Sequence, residues 1–250
     1  MQKPDLLCIG HRGAMGHEPE NTLVSIYKAL ELGSPCIEVD VYSVDGRLVV
    51  FHDARLERTT NGVGYLSEQS FEYLRSLDAG GGHRIPTLEE VCDAIGSQAC
   101  LNIELRVPGT AAPVAELIST LLESGWNKEA ILVSSFNHRE LLEVKQLHQD
   151  IKLGALIRGL LVDDAKFAED LGAFSVHPSL DFVDQRFVAD AHFRNLKVYV
   201  HTVNHTEDIV KMYKLGVDGV FTDFPERVLE RYTQGDKITR WTGRARSPIR

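Results

Sequence analysis

Short apolar runs alternate with amphipathic stretches along almost the whole chain, and that rhythm limits the folds open to it. Strand-like runs occupy 6–10, 36–42, 99–105, 131–135, 152–157, 174–177, 197–203 and 219–222. Helical patterns follow them at 22–32, 87–95, 111–124, 138–148, 163–171, 184–194, 206–215 and 225–233. Strands separated by amphipathic helices make parallel βαβ units. Eight such units in 250 residues predict an α/β fold, a (β/α)₈ TIM barrel. A doubly wound open sheet is the alternative; it usually needs fewer strands, and no glycine-rich phosphate loop is present. Asn21 or Thr22 is placed to cap the first helix and Gly33 to end it. Thr206 and Gly216 are placed to do the same for the seventh.

One region departs from the rhythm. After Asp40 the chain runs through Tyr42, turns at Asp45-Gly46 and returns as Arg47-Leu48-Val49-Val50-Phe51-His52, a hairpin rising from the second strand. Residues 54–86 then pass before the next helical pattern, and a loop of that length in a compact barrel is usually functional. The chain therefore reads as one barrel domain over 1–235, with a hairpin-and-loop insertion at about 43–86. A basic C-terminal tail follows at 236–250, expected to be solvated and frayed. That tail carries a net +4, which leaves −13 for the remainder of a chain whose formal charge is −9.

Three strand-like segments carry charge where a buried strand should be apolar. In Cys36–Val41, Ile37, Val39 and Val41 share one face, and Glu38 and Asp40 the other. In Leu101–Arg106, Leu101, Ile103 and Leu105 oppose Asn102, Glu104 and Arg106. The third segment ends in His52-Asp53. Buried carboxylates must be neutralised or hold a cation. The bland reading is two edge strands with solvated polar faces. The sharper one is an oxygen-ligated divalent cation in a catalytic mouth, and without cysteine ligands it favours Mg²⁺ or Ca²⁺.

Barrel enzymes place reactive groups at the C-terminal ends of their strands. There the sequence offers His11 and Arg12, Glu38 and Asp40, Glu104 and Arg106, His177, and His201. Histidines beside a metal suit proton transfer to and from oxygen. Arg12 and Arg106 present planar forks that match a phosphate. The combination points to hydrolysis of a phosphate ester. His177 reads as structural, and His201 is open between pocket lining and structure. Asp53 either orients its neighbours or caps a turn, and His17 and Glu20 either serve the mouth or shape its loops.

The ordered motifs resemble the glycerophosphodiester phosphodiesterase family. They are His11-Arg12-Gly13, Pro19-Glu20-Asn21-Thr22, Glu38-Val39-Asp40, His52-Asp53, Arg58-Thr59-Thr60-Asn61-Gly62 and Leu77-Asp78-Ala79-Gly80. They continue with Ile85-Pro86-Thr87-Leu88-Glu89-Glu90, Asn102-Ile103-Glu104, Ser134-Ser135-Phe136, Thr202-Val203-Asn204 and the run Gly216–Pro225. The resemblance covers roughly residues 8–230. It implies a (β/α)₈ barrel and metal-dependent release of glycerol 3-phosphate and an alcohol. It implies Glu38, Asp40 and Glu104 as metal ligands, His11 and His52 as the acid/base pair, and Arg12 as a phosphate contact. The sequence leaves the order of the two histidines open; His11 is favoured as the activator of the nucleophile and His52 as the proton donor to the leaving oxygen. Arg106 stands where the family usually has lysine, and His201 where it usually has tryptophan. Both are taken as substrate-binding positions.

Two alternatives remain: a lysophospholipase D-type hydrolase acting on lysolipids, which an apolar surface around 54–86 would favour, and a non-catalytic phosphoester-binding protein. The expected partner is a small-molecule phosphodiester. The acidic balance argues against nucleic acid, no apolar run is long enough for a transmembrane segment, and nothing in the sequence bears on oligomeric state. Without a signal-peptide pattern at the N-terminus, a cytoplasmic protein is expected. Cys8, Cys36, Cys92 and Cys100 form no CxxC pair and read as reduced, buried thiols. The hairpin is expected to have a three-residue loop, Val44-Asp45-Gly46, pairing Ser43 with Arg47 and Glu38 with His52.

Overall fold

The computed structural model describes residues 6–232 and Trp241. Among the described residues nine strands form one sheet: β1 (Leu7–Gly10), β2 (Cys36–Val44), β3 (Arg47–Val50), β4 (Cys100–Leu105), β5 (Ile131–Ser135), β6 (Lys152–Ile157), β7 (Ser175–Pro178), β8 (Lys197–Val200) and β9 (Gly219–Thr222). Their order is β1-β9-β8-β7-β6-β5-β4-β2-β3, and β1 also pairs with β2. That last pairing closes eight parallel strands into a barrel, with β3 antiparallel on the far end of β2. The expected TIM barrel is present.

The helices are α1 (Leu23–Glu31), α2 (Phe71–Ser76), α3 (Leu88–Ile95), α4 (Ala111–Glu123), α5 (His138–Leu147), α6 (Lys166–Asp170), α7 (Gln185–Phe193), α8 (Thr206–Leu215) and α9 (Pro225–Tyr232). All except α2 follow a barrel strand. Their ends show why the chain turns where it does. Thr22 accepts from the Ser25 N–H to start α1, and Thr87 and Glu90 form a capping box at α3. Gly216, in the left-handed conformation at φ 83°, ends α8. The cap expected at Thr206 is not made: His205 holds the N-cap position without a side-chain bond, and Thr206 is the first helical residue. Glu207 and Asp208 in the first turn complement the free N–H groups instead.

The alternation within the strands sorts their side chains into two layers. Ile37, Val39, Val41, Leu101, Ile103 and Leu105 point outward and pack under the helices. Ile9, Cys36, Cys100, Leu132, Tyr199 and Phe221 fill the barrel. Each fully buried aliphatic side chain contributes about 1.5–3 kcal/mol, so the outer layer carries much of the stability. Trp241 belongs to the inner cluster. It is fully buried, its indole N–H donates to the Ala130 carbonyl at 3.0 Å, and its own carbonyl accepts from the Tyr199 hydroxyl at 3.5 Å. The stretch expected as a solvated tail otherwise lies outside the described residues, and its one described residue is buried.

The insertion has its own small core. Tyr42, Val44, Val49, Phe51, Leu56, Leu66, Leu74, Leu77 and Ile85 are buried together. Its span holds a 3₁₀ turn at Leu66–Glu68 and the short helix α2, where the sequence pattern predicted only loop. Leu66 and Leu74 thereby turn inward, while Val63, Tyr65 and Tyr73 stay exposed.

The hairpin register differs from expectation. Val44 pairs with Arg47, Ser43 with Leu48 and Val41 with Val50, so the loop is the two-residue Asp45-Gly46. Both loop residues have positive φ, 50° and 72°, which is the type I′ geometry that matches strand twist. A three-residue loop is the one whose pairing would make His52 face Glu38. That premise fails because the ladder ends before His52. Val50 N–H turns to the Pro86 carbonyl, Phe51 N–H makes a last bond to Asp40, and His52 lies beyond the strand.

Smaller boundary differences follow the same logic. β2 runs to Val44 because the hairpin extends it, and β8 stops at Val200, leaving His201 a single bridge to Ser179.

Candidate active site

In the parallel register Glu38 lies beside Asn102, and Asp40 beside Glu104, all on the face that looks into the barrel. Glu38, Asp40 and Glu104 each offer an oxygen, and these lie within 4.8 Å of one another. Each is nearly fully buried. Burial first, then the charges of Asp40 and Glu104, hold the Glu38 carboxyl well above the usual carboxylate range. Burial, then Asp40, pushes Glu104 up to about 7. The edge-strand reading is excluded: these acids face the barrel interior.

Two guanidinium groups partly offset the three carboxylates. Arg106 Nη1 donates to Glu104 Oε1 and lies 3.5 Å from Asp40 Oδ1. Arg12 Nε lies 3.2 Å from Asp40 Oδ2, which also accepts from Asn21 Nδ2 at 3.0 Å. Glu38 Oε1 is buried without a hydrogen-bond partner, as are both amide atoms of Asn102. Free, buried oxygens in an all-oxygen cluster fit a hard divalent cation.

Arg12 is held by its backbone. Its φ is +51°, a conformation that costs a non-glycine residue roughly 1–2 kcal/mol. Three hydrogen bonds hold it there: its N–H to Glu38 Oε2 at 2.9 Å, and its carbonyl accepting from Asn21 N–H at 3.1 Å and Ser25 Oγ at 2.8 Å. Unusual φ values held this firmly cluster at functional sites.

Each expected acid/base histidine has a carboxylate on Nδ1, which leaves Nε2 for chemistry. His11 Nδ1 is 2.7 Å from Asp223 Oδ1, and Asp223 is fixed by Asn204 Nδ2 at 2.6 Å and by its own N–H to Asn204 Oδ1 at 2.9 Å. His52 Nδ1 is 2.5 Å from Asp53 Oδ1, and Asp53 is gripped by Arg58. Burial lowers the His52 pKa, with Arg12 and Arg106 acting in the same direction and Asp40 against it. His52 therefore lies among the charged groups of the site.

The remaining residues divide. Glu20 joins the site, accepting from Arg12 Nη1 at 2.6 Å. His17 turns away, 3.1 Å from Glu226 and edge-on to Phe224. His177 lies in the barrel interior, fully buried, with Nε2 on Ser175 Oγ at 2.8 Å. It fits because position 154 is glycine: a Cβ there would lie 2.4 Å from the ring. His201 borders the mouth, edge-on to Phe136 at 5.7 Å between centroids, and its Nε2 is buried without a partner. Burial, then His11 and Arg158, lower its pKa to about 4. Asp223, Asn204 and Arg58 received no role from the sequence, although each lies in a quoted motif. Polar residues just past the ends of β8 and β9 were the available signal.

Residues 11–227 match the glycerophosphoryl diester phosphodiesterase family. The chain is 38% identical over 240 residues to a glycerophosphodiester phosphodiesterase of Caldanaerobacter subterraneus subsp. tengcongensis, covering 92% of this chain and 98% of that protein. It is 34% identical over 237 residues to one of Bacillus altitudinis, covering 88% and 95%. It is also similar to the structure of a phosphodiesterase of Oleispira antarctica in complex with the product sn-glycerol-3-phosphate. The TM-score is 0.84 and the identity 32%, covering 90% of this chain and 96% of the other.

Proposed function

The chain belongs to the glycerophosphoryl diester phosphodiesterase family, and on that footing we propose that it hydrolyses glycerophosphodiesters to glycerol 3-phosphate and an alcohol, using a divalent cation. The observation that carries the reading is the buried triad Glu38, Asp40 and Glu104, flanked by two arginines and two carboxylate-tethered histidines at one end of the barrel. The triad would hold the cation, Mg²⁺ or Ca²⁺, which when bound would supply positive charge to the phosphate oxygens. Arg12 and Arg106 bind the remaining phosphate oxygens and orient the phosphorus. His201 borders the bound diester, a smaller ring than tryptophan.

Proton transfer falls to the two histidines. His52, its pKa lowered by burial, is neutral near pH 7 and accepts the proton of the attacking water at Nε2. His11 gives its proton to the leaving alcohol oxygen, with the Asp223 carboxylate placed to pair with its imidazolium. This assignment reverses the order favoured from sequence, because the cationic neighbours of His52 could not be read there.

The lysolipid alternative keeps only part of its motivating feature: Leu66 and Leu74 of the insertion are buried, whereas Val63, Tyr65 and Tyr73 are exposed. A non-catalytic role is disfavoured by a complete acid/base set. Action in the cytoplasm is supported by four free, buried cysteines, which suit a reducing compartment. Among the described residues no helix is long and apolar enough to cross a membrane. Release of glycerol 3-phosphate from glycerophosphocholine and glycerophosphoethanolamine, with Mg²⁺, Ca²⁺ or chelator, tests the proposal. Hydrolysis is expected with cation and not with chelator; no release with either cation would overturn it.

A further inference from the structure

The Arg58-Thr59-Thr60 motif of the insertion has no part in the chemistry described so far, yet Arg58 reaches both halves of the site. Its Nε lies 2.5 Å from Asp53 Oδ2, and its Nη2 lies 2.9 Å from Asp53 Oδ1. On the other side Nη1 lies 2.6 Å from Glu20 Oε2, and Nη2 lies 2.7 Å from Glu20 Oε1. Both carboxylates are therefore held by two bonds each. Asp53 Oδ1 is the atom that meets His52 Nδ1, and Glu20 Oε1 is the atom that accepts from Arg12. A continuous chain runs His52, Asp53, Arg58, Glu20, Arg12.

We infer that Arg58 is a positioning residue which locks the proton-accepting histidine and the phosphate-binding arginine into one mutual geometry. The inference rests on the roles given above to His52 and Arg12. Its physical basis is the planar guanidinium fork, which fixes two carboxylates in one plane as lysine cannot. The fork is itself anchored. Thr60 N–H and Oγ1 both bond the Leu56 carbonyl, at 3.1 and 2.8 Å, and Leu56 is fully buried in the core of the insertion. This gives the insertion a purpose: its small core presents one side chain to two loops of the barrel mouth.

The clamp has an electrostatic consequence as well. Asp53 shares its charge between Arg58 and His52. The other charged groups acting on His52 are Asp40 from β2, Arg12 from the loop after β1 and Arg106 from the end of β4. Removing Arg58 leaves Asp53 to His52 alone, which favours the imidazolium. The His52 titration then moves to higher pH, and the acid limb of kcat/KM moves with it.

The test uses the purified cation-loaded enzyme with Arg58→Ala, Arg58→Lys and, as control, Arg55→Ala. Arg55 is exposed and pairs with Glu57, outside the site. Initial rates on glycerophosphocholine from pH 5 to 9 give kcat and KM, and ring-proton NMR follows the His52 titration. Arg58→Ala is expected to lower kcat by about 10–100-fold and to raise the His52 titration midpoint by roughly half a unit or more. Arg58→Lys should recover part of the rate, and Arg55→Ala should match wild type. A purely structural role would lower the melting temperature and leave the pH limb and NMR midpoint unmoved; that outcome overturns the inference. If wild-type enzyme hydrolyses nothing, the functional reading fails separately. The His52 midpoint in Arg58→Ala, compared with wild type, then decides the clamp alone.

Discussion

Glu38 and Arg12 meet through the backbone: the Arg12 N–H donates to Glu38 Oε2 at 2.9 Å, while Glu38 Oε1 is buried with no partner. One oxygen thus organises the loop that carries Arg12, and the other has no protein partner, as the proposed cation site requires. Glu38→Gln keeps an acceptor for Arg12 but removes the charge. It should weaken Mg²⁺ or Ca²⁺ binding by about 100-fold or more, since even partners one step removed from a metal cost 10–100-fold. Calorimetric titration of apo-protein with each cation measures this. An unchanged dissociation constant would remove Glu38 from the cation site.

The two histidines and the tether on His11 should each matter to turnover. His11→Ala and His52→Ala should each lower kcat by about 100-fold or more, the range for general acid–base catalysis. Asp223→Asn should also be costly: Asn204 Nδ2 fixes the side-chain oxygen, so the new NH2 would face His11 Nδ1 and take away the acceptor that pairs with the imidazolium. The pH dependence of kcat/KM should be bell-shaped. A near-wild-type rate for His52→Ala would exclude it from proton transfer.

Arg106 touches Glu104 and approaches Asp40, so under the proposed function it would serve the cation site and the phosphate together. Arg106→Lys keeps the charge and should retain substantial activity. Arg106→Ala leaves buried carboxylates without their partner and should lose it. Normal turnover by the alanine variant would reduce Arg106 to a structural neighbour of Glu104.

What the sequence made legible follows from its periodicities. The eight barrel strands were visible because each is a short apolar run between amphipathic helices. Glu38, Asp40 and Glu104 were visible because acids on one face of otherwise apolar strands are costly and therefore conspicuous. The hairpin register was not. It was argued from where His52 must point, but His52 lies past the ladder, so its direction is set by the turn toward Pro86 rather than by pairing. Asp223 and Asn204 carried only the weak signal of polar residues just past β9 and β8, and Arg58 carried none, since their roles depend on which loops the closed barrel brings together. Trp241 was hidden for a different reason: a lone aromatic in a basic stretch reads as solvated, and only the barrel floor gives it a place.

His177 and His201 should make the fold acid-sensitive. Burial holds His177 neutral to well below its ordinary range, and His201 to about 4. Below about pH 6.5 the unfolded chain takes up protons that the folded one does not, so stability falls as pH drops through this window. For His201 alone the loss is about 2 kcal/mol at pH 5 relative to pH 8. The raised carboxyls of Glu38 and Glu104 act in the opposite direction, but equally in wild type and variant. Denaturant unfolding of wild type and His201→Gln at pH 8 and pH 5, both in chelator, isolates the difference. Equal losses in the two proteins would show that His201 does not carry it.

Trp241 tests whether the floor of the barrel matters to stability apart from catalysis. It meets Ala130, just before β5 begins, whereas the triad and histidines lie at the opposite ends of the strands. Trp241→Ala empties a fully buried site and takes the indole donor from the Ala130 carbonyl, while the backbone carbonyl that meets the Tyr199 hydroxyl stays. The cost of such a truncation is about 3–5 kcal/mol. At about 2–4 °C per kcal/mol for a chain of this size, the melting temperature should fall by roughly 10 °C. At 25 °C kcat should stay within about twofold of wild type, because the contacts of Trp241 among the described residues, with Glu129, Ala130 and Tyr199, lie at the opposite end of the barrel from the mouth. A thermal melt within 2 °C of wild type, about the effect of a single kcal/mol at this size, would show that the floor is closed without this side chain.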